Sequence, residues 1–308
     1  MRNTIQQLLN GVFIGSIYAL FGLGYTLVFG LLDVLNLAHS EVFMLGAVVT
    51  YSLVALHSVP FWAAVPLGIG AGALLGLVIE FVALRPLRRR GAPPITALIS
   101  TIGVALVLVA LIEQSKAGGA LAWLWRDGAN DVQFPPGKVP GRIFHLAGLT
   151  LPATKVAILV ITVLLMLGLG FVMTRTGWGR AVRAVAENPR AARLLGINVD
   201  RVITATLVVS SALAALSGIL FGLALNDISP YIGRDQVELR GLAVIVLGGM
   251  GSIPGTFIGG FVLGLLESIT ILTLGTDVRA VGFIALFVML VLRPQGLLGQ
   301  RERFAERV

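Results

Sequence analysis

Long apolar runs separated by short polar or basic segments set the pattern of the chain, and each run reads as membrane helix. A bilayer core about 30 Å thick needs roughly 20 apolar residues in helical form. Residues 8–32 and 36–56 follow one another almost without a gap. At 1.5 Å per residue they would together extend about 70 Å, so they are two elements and not one. Residues 61–84, 95–112, 155–173 and 202–225 supply four more runs. A glycine-rich run at 241–268 and a short one at 280–292 complete the series. The pattern predicts an all-α, polytopic helical membrane protein of about eight membrane segments, forming one domain over 1–308.

Two of these runs are interrupted, one in each half of the chain. The segment DVLNLAHSE at 33–41 places Asp33, Asn36, His39, Ser40 and Glu41 between the first two runs. Such a polar cluster is either a tight turn at the membrane face or a discontinuity deeper in the protein. Gly248, Gly249, Gly251 and Pro254 cut the run at 241–268 into two pieces. Paired interruptions in pseudo-symmetric halves point to a translocation site, because broken helices offer backbone polar groups to a cavity. Asn36, His39 and Ser252 are therefore expected to line a narrow, mostly apolar passage. Asp33, Glu41, Gly248, Gly249, Gly251 and Pro254 are expected to form the helix breaks. The glycines after Pro254 suit close helix packing instead.

Glu41, Glu80 and Glu267 lie in or near apolar helices, where an ionisable group is costly and is a candidate for function. His39 and Glu41 are two residues apart and point to different sides of a helix, which argues against a proton relay. Metal binding would need more ligands than the cluster offers. Helix-end capping or a gate hydrogen bond fits better, with Glu41 and Glu267 expected to serve near the helix breaks and not as ligands.

Charge changes the picture at 175–201. Six arginines (175, 180, 183, 190, 193 and 201) meet two acids, Glu187 and Asp200. The stretch reads as two short helices. The first runs from about residue 178 to Glu187, with Trp178, Val182 and Val185 on one face and Arg183 turned elsewhere. Asn188 and Pro189 supply an N-cap and a first-turn proline for the second, and Gly196 a C-terminal stop. A solvated loop needs no such start and stop signals, and apolar residues would not favour it. The segment is read as a docking element.

With 56% hydrophobic and 12% charged residues, the chain lies far from a soluble composition of about a quarter charged. Its net charge of +8 sits in loops between apolar runs, as a topology signal and not a nucleic-acid stripe. Arg85, Arg88, Arg89 and Arg90, the stretch 175–201 and the tail at 294–308 then share the cytoplasmic side, with an outside N-terminus. Residues 113–154, with Trp123 and Trp125 suited to an interface, form an extracytoplasmic loop. The chain has no cysteine and no G-x-x-x-x-G-K-[ST] motif, so it offers no thiolate site and no nucleotide loop of its own.

Three segments carry a resemblance. They are GSIYALFGLGYTLVFGLLDVLNLAHSEVFMLGA at 15–47, TGWGRAVRAVAENPRAARLLGINVDRVI at 176–203, and VLGGMGSIPGTFIGGFVLGLLE at 246–267 followed by RPQGLLG at 293–299. Together they resemble the LivH-type permeases of ATP-binding-cassette importers for branched-chain amino acids. Ser40 stands where such permeases usually have glycine. The resemblance implies a multi-pass protein of the bacterial inner membrane that hydrolyses nothing itself. It implies a second homologous permease subunit, two cytoplasmic ATPase subunits that bind ATP and Mg, and a periplasmic substrate-binding protein. Residues 187–196 would then seat in an ATPase cleft, with Arg183, Glu187, Asn188, Pro189, Arg193 and Gly196 as the coupling set. Urea, short amides or aromatic acids are alternative cargoes. An ion-coupled secondary transporter would need carboxylates paired across helices, and the sequence offers few.

Overall fold

The computed structural model describes residues 2–116, 118–119, 121–139, 143–146, 149–275 and 279–299. The arginines of the tail at 301, 303 and 307 lie outside the described residues. Six helices are long and apolar enough to cross a membrane, and two shorter apolar ones, His39–Ala55 and Ala280–Leu292, accompany them. The expected number of apolar segments is therefore met by unequal helices.

The centre is built from α1 (Arg2–Leu32), α2 (His39–Ala55), α9 (Val199–Leu225), α10 (Leu239–Gly248) and α11 (Ile253–Leu274). Helices α1 and α11 lie antiparallel over most of their length, and small residues let them touch. A side chain at Gly260 would come within 2.6 Å of the Ala19 backbone, and one at Gly15 within 2.8 Å of the Gly260 carbonyl. Thr26 and Thr256 share a hydrogen bond of 2.6 Å across the same seam. The glycines after Pro254 thus serve packing, as their spacing suggests.

Helix α3 (Phe61–Ile79) joins α2 and α9 through the same device, with Gly72 against Ala215 and Gly76 against Ser211. It does not stop at the arginines. A π-helical turn, π1 (Glu80–Leu84), leads into α4 (Arg85–Arg89). Pro86 falls in the first turn of α4, where a missing N–H leaves no gap in the helix ladder. Helices α5 (Pro94–Glu113), α6 (Ala153–Arg175) and α12 (Arg279–Leu292) lie outermost. They turn Ile99, Leu106, Leu164, Phe171 and Phe287 outward, as lipid-facing helices do.

Charged contacts define two ends. At the basic end, Arg85, Arg88 and Arg89 surround Asp200 at the start of α9, at 3.5, 3.1 and 3.4 Å. Helices α7 (Gly177–Glu187) and α8 (Pro189–Leu194) lie there too. At the opposite end, His57 meets the Trp123 carbonyl, Lys138 donates to the Val54 carbonyl, and Lys155 donates to Asn10. That end also departs from all-helical structure, with a hairpin of β1 (Ile143–Leu146) and β2 (Leu149–Pro152). Of the two loop tryptophans, Trp123 is exposed, whereas Trp125 is buried and donates to the Gly128 carbonyl at 2.8 Å. Trp125 is therefore a core anchor and not an interfacial residue.

The seam between α1 and α11 has no room for a larger residue at Gly260, so Gly260→Leu should cost at least about 1–3 kcal/mol by overpacking. Thermal unfolding of the purified chain in detergent should show a lowered midpoint. An unchanged midpoint would mean that the seam is not packed as described.

Candidate functional site

The first break begins at an exposed residue, Asp33, and leads into the buried interior at Ala38 and His39. Asp33 adopts a left-handed backbone (φ 55°) and donates its N–H to the Phe29 carbonyl at 2.9 Å, which closes α1. The chain then doubles back. Helix α2 begins at His39, whose imidazole touches the α1 backbone at Gly24, and the Gly24 carbonyl accepts from Ser210 Oγ at 2.8 Å. Ser210 lies near the middle of α9, so α2 starts at roughly half depth. Its N-cap, Ala38, provides no side-chain acceptor. The imidazole of His39 sits between the rings of Phe21 and Tyr25, with centroids 4.9 and 5.2 Å away. Asn36 and Glu41 are buried beside it, and neither Asn36 Oδ1 nor Glu41 Oε2 has a hydrogen-bond partner.

The second break is tighter. Helix α10 ends at Gly248, and Gly249 (φ 105°) and Gly251 (φ 84°) take backbone conformations that side chains disfavour. Ser252 caps α11 by accepting from the Gly255 N–H at 3.2 Å, and Pro254 occupies its first turn. The RPQGLLG segment returns to this break. The N–H groups of Leu297 and Leu298 donate to the carbonyls of Leu247 and Gly248 at 2.8 and 2.9 Å. The sequence motif gave no sign of that pairing. The two interruptions come close, since a side chain at Gly30 would lie 3.5 Å from Gly251 Cα.

A cavity of about 710 Å³ opens beside the second break. Its walls come from α1, α6, α7 and the RPQGLLG turn, with Leu27, Met166 and Phe171 among apolar residues and Thr26 and Ser252 among polar ones. Ser252 lines it, while Asn36 and His39 stand in the enclosed core at the first break. The three residues therefore do not share one wall. Glu267 also differs from its expected place near a break. It lies well along α11, where Arg240 Nε approaches Oε1 at 2.6 Å and the Tyr18 hydroxyl donates to Oε2 at 2.9 Å. Glu80 is likewise paired, by Arg88 at 2.7 Å, and that arginine also reaches Asp200.

At the basic end, Asn188 Oδ1 accepts from the N–H groups of Arg190 and Ala191, both at 3.0 Å, and Gly196 (φ 81°) turns the chain out of α8. Thr176 caps α7, and Arg183 reaches back to the Met173 carbonyl. Val182, Val185 and Ala192 are buried against the body. Glu187, Pro189 and Arg193 are exposed. So are Leu194 and Leu195, at 90% and 79%, which form an apolar tip that the charge pattern alone did not single out.

The model of the family described as branched-chain amino acid transport system / permease component matches residues 7–292. The chain belongs to this family. It is 36% identical over 314 residues to the high-affinity branched-chain amino acid transport system permease protein LivH of Escherichia coli, covering 97% of this chain and 96% of that protein. The permease protein BraD of Pseudomonas aeruginosa is 35% identical over 309 residues, with the same coverage. A probable LivH of Methanocaldococcus jannaschii is 28% identical over 305 residues, covering 96% and 92%. No solved structure matches the chain. Within the permease family, both breaks and the capped double helix fall inside the matched region.

The buried ion pair of Arg240 and Glu267, which joins the start of α10 to α11, can be tested directly. Removing one partner of a buried pair leaves an uncompensated charge and costs about 3–5 kcal/mol. Arg240→Met alone should therefore destabilise the protein strongly, and Arg240→Met with Glu267→Leu should recover most of the loss. Equal unfolding midpoints for the single and double variants would show that the pair is not buried as described.

Proposed function

We propose that the chain is the permease subunit of an ATP-driven importer that carries branched-chain or other hydrophobic amino acids across the bacterial inner membrane. Its full-length relatedness to LivH and BraD carries the substrate class. The cavity beside the second break agrees with that class. Its walls are mainly apolar with a few hydroxyls, so aliphatic side chains meet no penalty, while a strongly charged solute would lose several kcal/mol in desolvation. A tight site is unnecessary when a periplasmic binding protein delivers the cargo.

The basic end is cytoplasmic in this reading, following the excess of arginine. Residues 113–154 then face outward and receive the binding protein, and 294–308 return to the cytoplasm. A second homologous permease completes the membrane unit, and two cytoplasmic ATPases supply the energy by binding ATP and Mg. Residues 175–201 couple them. Helix α8 is capped at both ends, so it holds its shape while presenting Arg193, Leu194 and Leu195 outward, and an ATPase cleft would bury that apolar tip.

The assembled transporter in proteoliposomes should take up leucine only with ATP and its binding protein. Replacing Asn36 and Ser252 together by leucine should abolish uptake while the complex still assembles. Undiminished uptake by that double variant would contradict the pathway.

The coupling role has its own test. Gly196→Val removes the glycine stop, and Leu194→Ser with Leu195→Ser removes the apolar tip. Both should lower substrate-stimulated ATP hydrolysis and uptake together, by about tenfold for each 1.4 kcal/mol of docking energy lost. Normal rates in both would remove the docking role from α8.

A further inference from the structure

A second cavity, of about 390 Å³, shares no lining residue with the one beside the second break. It lies between a π-helical segment, π2 (Ile232–Glu238), the start of α10 and helix α12. Its wall carries Arg234, Asp235, Glu238 and Arg240 beside Leu239 and Phe283. That is much charge for its depth. Gly233 of π2 packs on the Ser40 carbonyl at the first turn of α2, and Arg240 faces the ring of Tyr18, which lies midway along α1. On the α12 side, a side chain at Gly282 would come 3.8 Å from Arg240 Cγ, so the glycine leaves the cavity its space.

Arg240 is buried and neutralised by Glu267 at 2.6 Å, which leaves one cation and two carboxylates on the wall. Arg234 Nε lies 3.6 Å from Asp235 Oδ1, with both side chains about half exposed, at 49% and 48%. A contact this long and open leaves most of the five guanidinium donors free to bind something else. The field of Arg234 also reaches Glu238. Ionisable side chains at membrane depth do not face acyl chains; they turn to protein or to a water-filled cavity and mark solute routes. A solute with both signs of charge suits this wall better than a solute with one. A plain cation would find carboxylates already partly neutralised by Arg234, and a plain anion would face two carboxylates. The cavity volume lies within the range of about 300–1,000 Å³ common for small-molecule sites.

We propose that this cavity is a transit site for a zwitterionic amino acid, with Arg234 receiving its carboxylate and Glu238 and Asp235 its ammonium group. The assignment rests on the reading of the chain as an amino-acid permease and adds what that reading lacks, groups that recognise the charged end of the cargo. The planar guanidinium matches a carboxylate with two parallel hydrogen bonds. A primary ammonium carries three donors, and the two carboxylates are acceptors. Leu239 and Phe283 supply apolar wall for an aliphatic side chain. The π-helical form of the segment agrees with such a role, because π turns recur at functional sites.

The test uses the wild-type assembled transporter in proteoliposomes, so that no variant has to fold. Phenylglyoxal, which modifies guanidinium groups, is applied without ATP, and labelling of Arg234 is followed by peptide mass spectrometry. The rate is taken relative to Arg126, an exposed arginine of the loop 113–154, which corrects for reagent consumed by free amines. Leucine at roughly ten times its Kd should slow labelling of Arg234 about tenfold. The analogues 3-methylbutylamine and 4-methylpentanoate each lack one charged end, so each should require about ten- to a hundredfold more solute for the same protection. Glu238→Gln should raise the leucine requirement by a similar factor but not that of 4-methylpentanoate. Equal protection by leucine and 3-methylbutylamine would overturn the proposal in favour of a plain cation site. An Arg234 that stays unlabelled while Arg126 reacts would show the cavity covered in the assembly and would also overturn it. No protection by leucine in vesicles that do take up leucine with ATP and binding protein would overturn the site and leave the permease reading standing. Protection by leucine in vesicles that take up none would support the site and sink the transport reading.

Discussion

In a bilayer, backbone N–H and C=O groups have no water to turn to, so a helix can be broken at membrane depth only where protein supplies the missing partners. That requirement organises this molecule. The first break is closed by the Asp33 N–H on the Phe29 carbonyl and by Thr101 Oγ1, which accepts from the Leu37 N–H at 3.3 Å. The second is closed by the Ser252 cap and by Leu297 and Leu298 returning onto α10. Helices α1, α9 and α11 wrap these repairs because their small residues allow backbones to approach. The outer helices α5, α6 and α12 then need only be apolar.

Charge obeys the same rule with one exception. Glu80 is buried but held by Arg88, and Glu267 is buried but held by Arg240 and Tyr18. Arg240 ties α10 to α11 through Glu267, and Arg88 links Glu80 to Asp200 on α9. Asp200 gathers three arginines at the root of α9, immediately after the helices that face the cytoplasm in our account. Glu41 is buried at the first break with no ion pair, and Ser40 Oγ lies 3.5 Å from its Oε1.

Much of this was legible in the sequence, for physical reasons. The apolar runs are long enough to leave little choice but helix, and Asn188, Pro189 and Gly196 are start and stop signals whose geometry is local. Gly249 and Gly251 with Pro254 could only interrupt α10 and α11. What was not legible depends on distant partners. Glu267 is far from the breaks because Arg240 reaches it across 27 residues of sequence, and no local pattern encodes that pair. The pairing of the RPQGLLG turn with the second break is likewise long-range. Trp125 resembled an interfacial residue until the fold of its own loop buried it. Leu194 and Leu195 were visible as apolar letters, but only the turn of α8 shows that no described residue covers them.

In the proposed pathway, the cavity beside the second break is a water-accessible passage open toward the basic end. The chain contains no cysteine, so a single cysteine at Ser252 reports without interference. In the assembled transporter, a membrane-impermeant maleimide applied from the cytoplasmic side should modify this cysteine, and leucine during ATP-driven turnover should change the rate. A cysteine that reacts only with lipid-soluble reagents, at a rate indifferent to leucine and ATP, would place the break against lipid and contradict the account.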